Sequence, residues 1–149
     1  MQNLFNKDPY FEIVDRLMKL TPDSKALWGK MDVAQMLAHC TEAFRIPLSN
    51  KKMSRNFIGL LFGPIAKKSL LSQKPYKHSL PTASNFKIKD ERDFYIEKQN
   101  LMTMMAKFYS GGPNYLGNLV HPFFGKLSGE EWGIAMHKHL DHHFKQFGV

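Results

Sequence analysis

The stretch SGEEWGIAMHKHLDHHFKQF, residues 128–147, predicts the helix on which the fold depends. Ser128 and Glu131 match the capping-box pattern S-x-x-E, in which each side chain bonds the other residue's backbone N–H at a helix start. At about 100° per residue, the apolar residues fall on one stripe: Trp132, Ala135, Met136, Leu140 and Phe147. The stretch is therefore typical of an amphipathic helix that buries one face and ends before Gly148.

Two of the four histidines in this helix fall within its apolar stripe. His139 and His143 are four residues apart, so their side chains lie one above the other on a single face. His137 and Asp141 are expected to point away from the stripe, and His142 to lie to one side. Buried imidazoles need polar partners, and a pair at this spacing can present two nitrogens to one metal ion. Spacing alone leaves open a metal-binding pair and a pair of hydrogen-bonded core residues.

A third metal ligand would have to come from another helix, and His39 is the candidate. A second capping-box pattern, Asp32 with Gln35, starts the helix VAQMLAHCTEAFRI, which Pro47 is expected to end. His39 lies at the flank of that helix's apolar stripe and can face the interior near one edge. Three histidines leave one or more coordination positions open, which is typical of a catalytic rather than a structural metal site.

The remaining pattern predicts an all-α protein in one domain, residues 1–149. Sequences with alternating polarity are scarce, and a helical bundle is the simplest architecture. Gly63-Pro64 should kink or split the third helix, and SGG at 110–112 should stop the fourth. Residues 72–90 are expected to form a long loop of the kind that often covers or lines a site. The five helices are expected at about 8–20, 32–47, 54–72, 90–109 and 128–147.

Composition and motifs exclude several classes of protein. With 43% apolar and 23% charged residues and a single cysteine, Cys40, the chain is typical of a globular protein without an internal disulfide. No signal peptide is expected, and the longest apolar run, residues 57–66, is too short to span a bilayer. A cytoplasmic location is expected. The H-E-x-x-H peptidase motif is absent, since Leu140 follows His139, and no G-x-S-x-G or phosphate-binding glycine loop occurs.

The chain has a net charge of +8, its lysines are spread along the sequence, and no block of five or more like charges occurs. Such a balance is more typical of a basic surface than of a nucleic-acid-binding tail, and an anionic small-molecule substrate is also compatible with it.

Two blocks, WGKMDVAQMLAHCTEAF at 28–44 and HPFFGKLSGEEWGIAMHKHLDHHFKQF at 121–147, resemble the DinB-like (DinB/YfiT-like) superfamily, most closely a branch of bacterial proteins within it. The similarity spans almost the whole chain, although residues 48–89 carry little of it. It implies a four-helix bundle in up-down-down-up order with one additional helix. It also implies a divalent metal, commonly nickel or zinc, held here by His39, His139 and His143.

Members of that superfamily include metal-dependent transferases and isomerases that use a low-molecular-weight thiol such as bacillithiol or mycothiol. The resemblance therefore implies a metal-dependent enzyme, with thiol transfer to a small electrophile as the leading activity. It implies a small-molecule substrate and a monomer or homodimer. No nucleic-acid partner and no stable membrane insertion are expected. No motif in this chain separates thiol-using members from the others.

Three further residues are placed near this predicted site. His121, in HPFFG, either contacts substrate or orders its own loop, and the second interpretation is preferred. At about 100° per residue, Gln146 falls on the same side of the last helix as His139 and His143, where it could orient a ligand ring or simply occupy the helix end. Trp28 is expected to pack in the core at the start of the second helix.

An alternative hypothesis is a non-catalytic basic module with structural histidines. The segment KKMSRNFIGLLFGPIAKK, residues 51–68, is apolar with basic residues at both ends, as in segments that dock on anionic membranes or nucleic acid. The preferred interpretation of the same segment is one helix whose apolar residues face the core or form a dimer interface.

Overall fold

The computed structural model describes residues 1–49, 57–78, 86–116 and 119–149. Within these ranges the chain is mostly helical, which confirms the predicted all-α class. The helices are α1 (Lys7–Lys19), α2 (Val33–Leu48), α3 (Phe57–Leu70), α4 (Phe94–Leu116) and α5 (Gly129–Gln146). Two short strands, β1 (Val120–His121) and β2 (Gly125–Lys126), lie between α4 and α5.

Four of the helices pack on one another, while α3 lies to the side. Helices α1 and α2 each pack against both α4 and α5, and α4 also contacts α5. Helix α3 packs mainly on β2. The largest fully buried side chains among the packed helices are Phe44, Phe108, Trp132 and Phe144. The contact between α2 and α5 brings together the two helices on which candidate metal ligands were predicted.

Both predicted capping boxes are formed. Asp32 Oδ1 accepts from the backbone N–H of Gln35 at 2.8 Å, and Gln35 Oε1 accepts from that of Asp32 at 3.2 Å. Ser128 Oγ accepts from the backbone N–H of Glu131 at 3.2 Å, and Glu131 Oε2 accepts from that of Ser128 at 2.8 Å. Each cap stabilises its helix by about 1 kcal/mol and fixes the start of a helix that carries candidate ligands.

The observed bounds of α3 and α4 differ in part from the predicted ones. Helix α4 begins after Asp93 rather than at Asp90, because Asp93 Oδ1 accepts from the backbone N–H of Ile96 at 2.9 Å and caps the helix. Gly112 interrupts α4 with φ 68° and ψ 173°, as the predicted stop required, but a further turn follows from Pro113. The predicted start of the third helix at Ser54 lies outside the described residues. That helix continues through Gly63-Pro64 and is not split there, while the alternative prediction of a kink stays a prediction.

The β1–β2 hairpin was not predicted. Val120 pairs with Lys126 and His121 with Gly125 in antiparallel register, and Gly125 has φ 82°. Strands of two residues are too short to leave an alternating pattern in the sequence. The hairpin leads directly into the capped start of α5.

The preferred interpretation of the α3 segment had two versions, and the one in which α3 directs its apolar residues into the core is wrong. The other version, a dimer interface, stays a prediction. The buried positions of this helix are Gly59, Gly63 and Leu70. Its six large apolar side chains at 57–65 are between 53% and 75% exposed. The glycines allow the α3 backbone to lie close to the protein while the bulky side chains face outward.

The expected outward face of α5 is also covered. Helix α1 packs on it, and Arg16 donates from Nη1 to Asp141 Oδ1 at 2.9 Å and from Nη2 to the carbonyl of Val149 at 3.0 Å. His137 is buried beside this ion pair. The helical periodicity located the apolar stripe of α5 correctly. It could not show that α1 would cover the polar face of α5, with Arg16 pairing with Asp141.

Candidate metal centre

Three histidines from two helices converge between α2 and α5. One nitrogen from each of His39, His139 and His143 lies within 4.8 Å of the other two. The ring centroids are 5.0 Å apart for His39 and His139, 4.8 Å for His39 and His143, and 4.7 Å for His139 and His143. The structure therefore brings together the three residues that the sequence analysis singled out. Their role as metal ligands stays a prediction.

The His39 ring is held from behind by a backbone carbonyl. Its Nδ1 lies 2.9 Å from the oxygen of Phe86, in the segment that precedes α4. A carbonyl only accepts, so Nδ1 carries the hydrogen and the neutral ring keeps its Nε2 lone pair. That Nε2 faces the other two histidines. A bond of this kind commonly fixes the tautomer and orientation of metal-binding histidines.

The His143 ring is fixed in the same manner by a side chain. Gln146 donates from Nε2 to the carbonyl of Trp28 at 2.6 Å, which turns its Oε1 toward His143. His143 Nδ1 lies 2.9 Å from that oxygen and therefore donates to it. Because Nδ1 carries the hydrogen, the Nε2 lone pair of His143 is also free to face the cluster. Gln146 thus lies where the sequence analysis placed it, against a candidate ligand.

The third ring, His139, is the adjustable member of the cluster. Its Nε2 lies 3.1 Å from His39 Nε2, and because His39 Nε2 is an acceptor, His139 Nε2 carries the hydrogen of that bond. Its Nδ1 is buried without a hydrogen-bond partner among the described residues. A change of tautomer would leave Nε2 as a third acceptor beside the other two.

The spacing of the nitrogens fits a shared divalent ion. Adjacent ligands at a metal–nitrogen distance of about 2.0–2.1 Å are separated by about 2.9–3.4 Å, whether the ion is tetrahedral or octahedral. The pair His39 Nε2 and His139 Nε2, at 3.1 Å, already has this separation. Since the third nitrogen is within 4.8 Å, the His143 ring has to move by at most roughly 1–2 Å to reach the same geometry.

The protonation state of the cluster also suits metal binding. Burial lowers the pKa of His143 to about 3, and the neighbouring His39 contributes in the same direction. Burial also lowers the pKa of His39, although its bond to the Phe86 carbonyl raises it in part. The pKa of His139 is lowered well below 6.5 by burial and then by His143 and His39. All three rings are therefore neutral at pH 7, which is the form that binds metal.

His121 lies outside the cluster and orders the hairpin turn. Its Nδ1 accepts from the backbone N–H groups of Phe123 at 3.0 Å and Phe124 at 3.2 Å. Its ring lies 5.4 Å from that of Trp132, and burial lowers its pKa to about 4. These bonds agree with the preferred interpretation, in which His121 orders its own loop. A substrate contact by this residue stays a prediction.

A cavity of about 230 Å³ lies beside the cluster on the far side of His142. The His142 ring is 5.2 Å from that of His143 and 5.9 Å from that of Trp28. Trp28 is half-buried and stacks on His78 with ring centroids 3.9 Å apart, so the expectation that it is a core residue is wrong. The cavity is lined by Trp28, Pro75, Tyr76, His78, Lys138, Asp141, His142 and Lys145.

The cationic side chains of this cavity are engaged by the protein itself. Lys138 donates to three carbonyl oxygens, those of Ser69, Leu70 and Ser72, at 2.8–3.1 Å. Lys145 pairs with Asp141 at 2.8 Å. The cavity therefore presents mainly aromatic and imidazole surfaces to a small molecule.

The sequence did not reveal the two backbone carbonyl groups that position side chains of the site. The carbonyls of Phe86 and Trp28 hold His39 and Gln146, and a carbonyl position carries no residue-type signal. The cavity beside His142 was also missed, because its lining comes from distant parts of the chain. The prediction that a long loop lines the site was informative, since Phe86 belongs to the described end of that loop.

Comparison with known proteins gives a family but no activity. A family model described as a protein of unknown function (DUF1569) matches residues 8–148, a range that includes the whole histidine cluster. The chain matches no curated protein and no solved structure. The chemistry therefore has to be argued from the residues of the site.

Proposed function

The chain belongs to a family of proteins of unknown function (DUF1569), and we propose that it is a divalent-metal-dependent enzyme with His39, His139 and His143 as ligands. The convergence of three imidazole nitrogens within 4.8 Å supports the proposal most strongly. Two of these rings are held from behind so that their Nε2 lone pairs face inward. A set of merely structural histidines would not need two rings fixed with their Nε2 lone pairs toward a third imidazole.

We also propose that the fold is of the DinB-like type, a four-helix bundle in up-down-down-up order with α3 as the added helix. The packing of α1, α2, α4 and α5 on one another supports this assignment, as does the position of α3 beside β2. The distribution of ligands supports it as well, with one histidine on α2 and an H-x-x-x-H pair on α5.

Nickel and zinc are the metals we propose, because three neutral imidazoles are borderline donors that suit both ions. Such an ion would supply Lewis acidity, lowering the pKa of a thiol or water that reaches it. The chain itself brings the three rings together and keeps them neutral through burial. Phe86 and Gln146 keep two of the rings in the orientation that binding requires.

The activity we propose is transfer of a low-molecular-weight thiol to a small electrophile. The thiol sulfur forms a bond to the electrophilic carbon, the leaving group departs with the bonding electron pair, and the thiol proton is released. The aromatic cavity beside His142 is large enough for a small organic group. Since its lysines are engaged by protein partners, we expect an uncharged electrophile rather than an anionic one.

Metal binding is the first expected result. The purified, untagged protein loaded with nickel or zinc should hold about one ion per chain, measured by elemental mass spectrometry after gel filtration. The His139→Ala, His143→Ala double variant should bind the same ion at least about a hundredfold more weakly in calorimetric titration, because it loses two of three ligands. His142→Ala is the matched control, since it removes an adjacent imidazole of α5 that lies outside the cluster.

Two outcomes separate the parts of this proposal. Equal affinity in the double variant and the wild type, with both folded by circular dichroism, would contradict the metal site itself. A metal-loaded protein that conjugates none of a panel of thiols and electrophiles would contradict thiol transfer and leave the metal site standing. Conjugation that requires both the ion and a thiol, and that His142→Ala retains in part, would support the whole proposal.

Gln146 should affect metal affinity although it is not a ligand. Gln146→Leu removes the acceptor for His143 Nδ1, and loss of such a supporting bond typically lowers metal affinity by about 10–100-fold. Gln146→Glu keeps an acceptor oxygen for His143 Nδ1 but loses the donor to the Trp28 carbonyl, so it should recover only part of the affinity. Calorimetric titration of both folded variants with nickel measures the effect. An affinity of Gln146→Leu equal to that of the wild type would show that His143 does not depend on this bond.

A further inference from the structure

Helix α3 exposes an apolar surface that the proposed enzyme does not use. We call the exposed apolar side chains of this helix the α3 face: Phe57, Ile58, Leu60, Leu61, Phe62 and Ile65. At about 100° per residue they cover an arc of roughly 200°, more than half of the helix surface. Single exposed apolar residues are ordinary, but a contiguous set of this size marks an interaction site.

The inward side of α3 shows why this orientation is stable. Gly59 and Gly63 are buried, one turn apart, and Leu70 is fully buried further along the same face. Lys67 Nζ donates to the carbonyl of Lys126 at 2.7 Å and to Glu131 Oε2 at 2.8 Å. Lys138 donates to the carbonyls of Ser69 and Leu70. The buried Leu70 and the hydrogen bonds of two lysines therefore hold the helix on the protein, and its bulky side chains stay outside.

The charge around α3 differs in sign from that of the rest of the chain. Residues 43–89 contain ten lysines and arginines and not one aspartate or glutamate. The remainder of the sequence has eleven basic and thirteen acidic residues, so the whole net charge of +8 originates in this segment. Among the basic residues of this segment that the structure describes, Arg45 pairs with Glu42 and Lys67 with Glu131. The α3 face thus lies within a strongly basic stretch of chain.

We propose that the α3 face docks the protein on an anionic lipid surface, with α3 lying in the plane of the interface. An apolar helical face with basic flanking residues is the combination that binds such surfaces. At 14 residues, α3 is about 21 Å long, shorter than the hydrocarbon core of a bilayer. No helix among the described residues is long and apolar enough to cross a membrane. The inference is independent of the metal site.

A second copy of the chain fits this surface less well. In a two-fold symmetric contact through α3 the same face would lie on both sides, and each basic segment would meet its own copy. Like charges brought together at an interface oppose association. An anionic lipid surface instead offers charges opposite to those of residues 43–89, together with an acyl region that can take up the α3 face.

Vesicle cosedimentation tests the proposal. Wild-type protein should bind vesicles of phosphatidylcholine with 30% phosphatidylserine, bind pure phosphatidylcholine at least tenfold more weakly, and lose affinity as salt rises from 50 to 300 mM. The Phe57→Ser, Leu61→Ser, Ile65→Ser variant should bind the anionic vesicles at least tenfold more weakly. All three side chains are exposed, so the variant should stay folded by circular dichroism.

A pair of charge variants provides the matched control. Two double variants lower the net charge equally. The first is Lys68→Glu, Lys74→Glu and the second is Lys25→Glu, Lys30→Glu, and all four lysines are exposed. Only the first pair lies in the acid-free segment, and it should weaken vesicle binding by more than tenfold while the second changes it by less than threefold.

Three results would overturn the proposal. They are no vesicle binding at 50 mM salt, vesicle binding that the serine variant retains, and equal losses in the two charge variants. Sedimentation velocity tests whether a second copy of the chain occupies the α3 face instead. A dimer that the serine variant abolishes, without vesicle binding, would assign the α3 face to that second copy.

Discussion

Lowering the pH from 7.5 to 5 should reduce the free energy of unfolding of the metal-free protein by at least about 4 kcal/mol. Burial lowers the pKa of His143 to about 3 and that of His121 to about 4. In the unfolded chain both titrate near 6.5. At pH 5 the unfolded chain therefore binds two protons that the folded chain does not, and each contributes about 2 kcal/mol to unfolding.

The sign of this effect distinguishes it from ordinary acid denaturation. A histidine whose folded pKa is lowered stabilises the native state above pH 6.5 and loses that contribution as the pH falls below it. His39, His137 and His139 have lowered pKa values as well and act in the same direction. Carboxylates with lowered pKa values, such as that of Asp141, act only nearer pH 4. The window between pH 7.5 and 5 therefore isolates the histidines.

Urea unfolding with a chelator present, at pH 7.5, 6.5, 5.5 and 5, measures the effect. His121→Asn supplies a matched control, because an asparagine oxygen can accept the same turn N–H groups without titrating. Its dependence on pH should be smaller by about 2 kcal/mol over the same range. A wild-type free energy of unfolding that is constant from pH 7.5 to 5 would show that the buried rings take up protons in the folded state.

Replacing Gly133 by alanine should destabilise the protein by about 3 kcal/mol or more. A Cβ at this position of α5 would overlap the side chain of Asn3 and the ring of Phe5. The added Cβ would displace residues 3–5, which three interactions anchor to the rest of the protein. Leu4 N–H donates to the carbonyl of Gly133 at 3.1 Å, Asn3 Nδ2 donates to Glu130 Oε2 at 2.6 Å, and Phe5 stacks on Phe108 at 4.5 Å.

The magnitude follows from the contacts that would be lost. Burial of Leu4, which is completely inaccessible to solvent, stabilises by about 1.5–3 kcal/mol. The hydrogen bonds add about 1 kcal/mol each, and the aromatic pair adds about 0.5–1.5 kcal/mol. The better helix propensity of alanine offsets about 1 kcal/mol of this sum.

Gly111→Ala is the control for Gly133→Ala. Its added Cβ would meet only Tyr115 at ordinary contact distances, so it should be neutral or slightly stabilising. Combining Gly133→Ala with Asn3→Ala removes the main overlap and should cost less than the sum of the two single changes. Thermal unfolding of the wild type and the four variants gives the comparison. Additive single effects, or a Gly133→Ala protein as stable as wild type, would mean that residues 3–5 do not depend on this close approach.

The elements that sequence could predict are those in which local rules and burial agree. The capping boxes at Asp32 and Ser128 fixed the starts of α2 and α5, and the i, i+4 spacing of His139 and His143 placed both rings on one face. The position of His39 at the flank of the α2 stripe allowed it to face inward, and its grouping with the two α5 histidines was implied by the resemblance to the DinB-like superfamily. For the caps and for the pair on α5, a few residues close in sequence determine the geometry.

The elements that sequence could not predict depend on distant partners. The composition of α3 indicates burial of its apolar residues, but the buried positions are Gly59, Gly63 and Leu70, and the bulky side chains at 57–65 are exposed. The polar face of α5 is covered because Arg16, on α1, reaches Asp141. His39 is held by the carbonyl of Phe86, a group common to every residue type. These contacts depend on tertiary packing and leave no periodic pattern.

The bond from Gln146 to the carbonyl of Trp28 supplies the site with an intrinsic optical probe. Trp28 is half-buried against His78, whereas Trp132 is fully enclosed. The emission of the two indoles should therefore differ in wavelength, and the longer-wavelength signal belongs to Trp28. Because Gln146 holds both the Trp28 backbone and His143, a displacement of the His143 ring is passed to the surroundings of that indole. We therefore expect that a metal ion bound by the histidine cluster would change the tryptophan fluorescence, so that binding could be followed without a label.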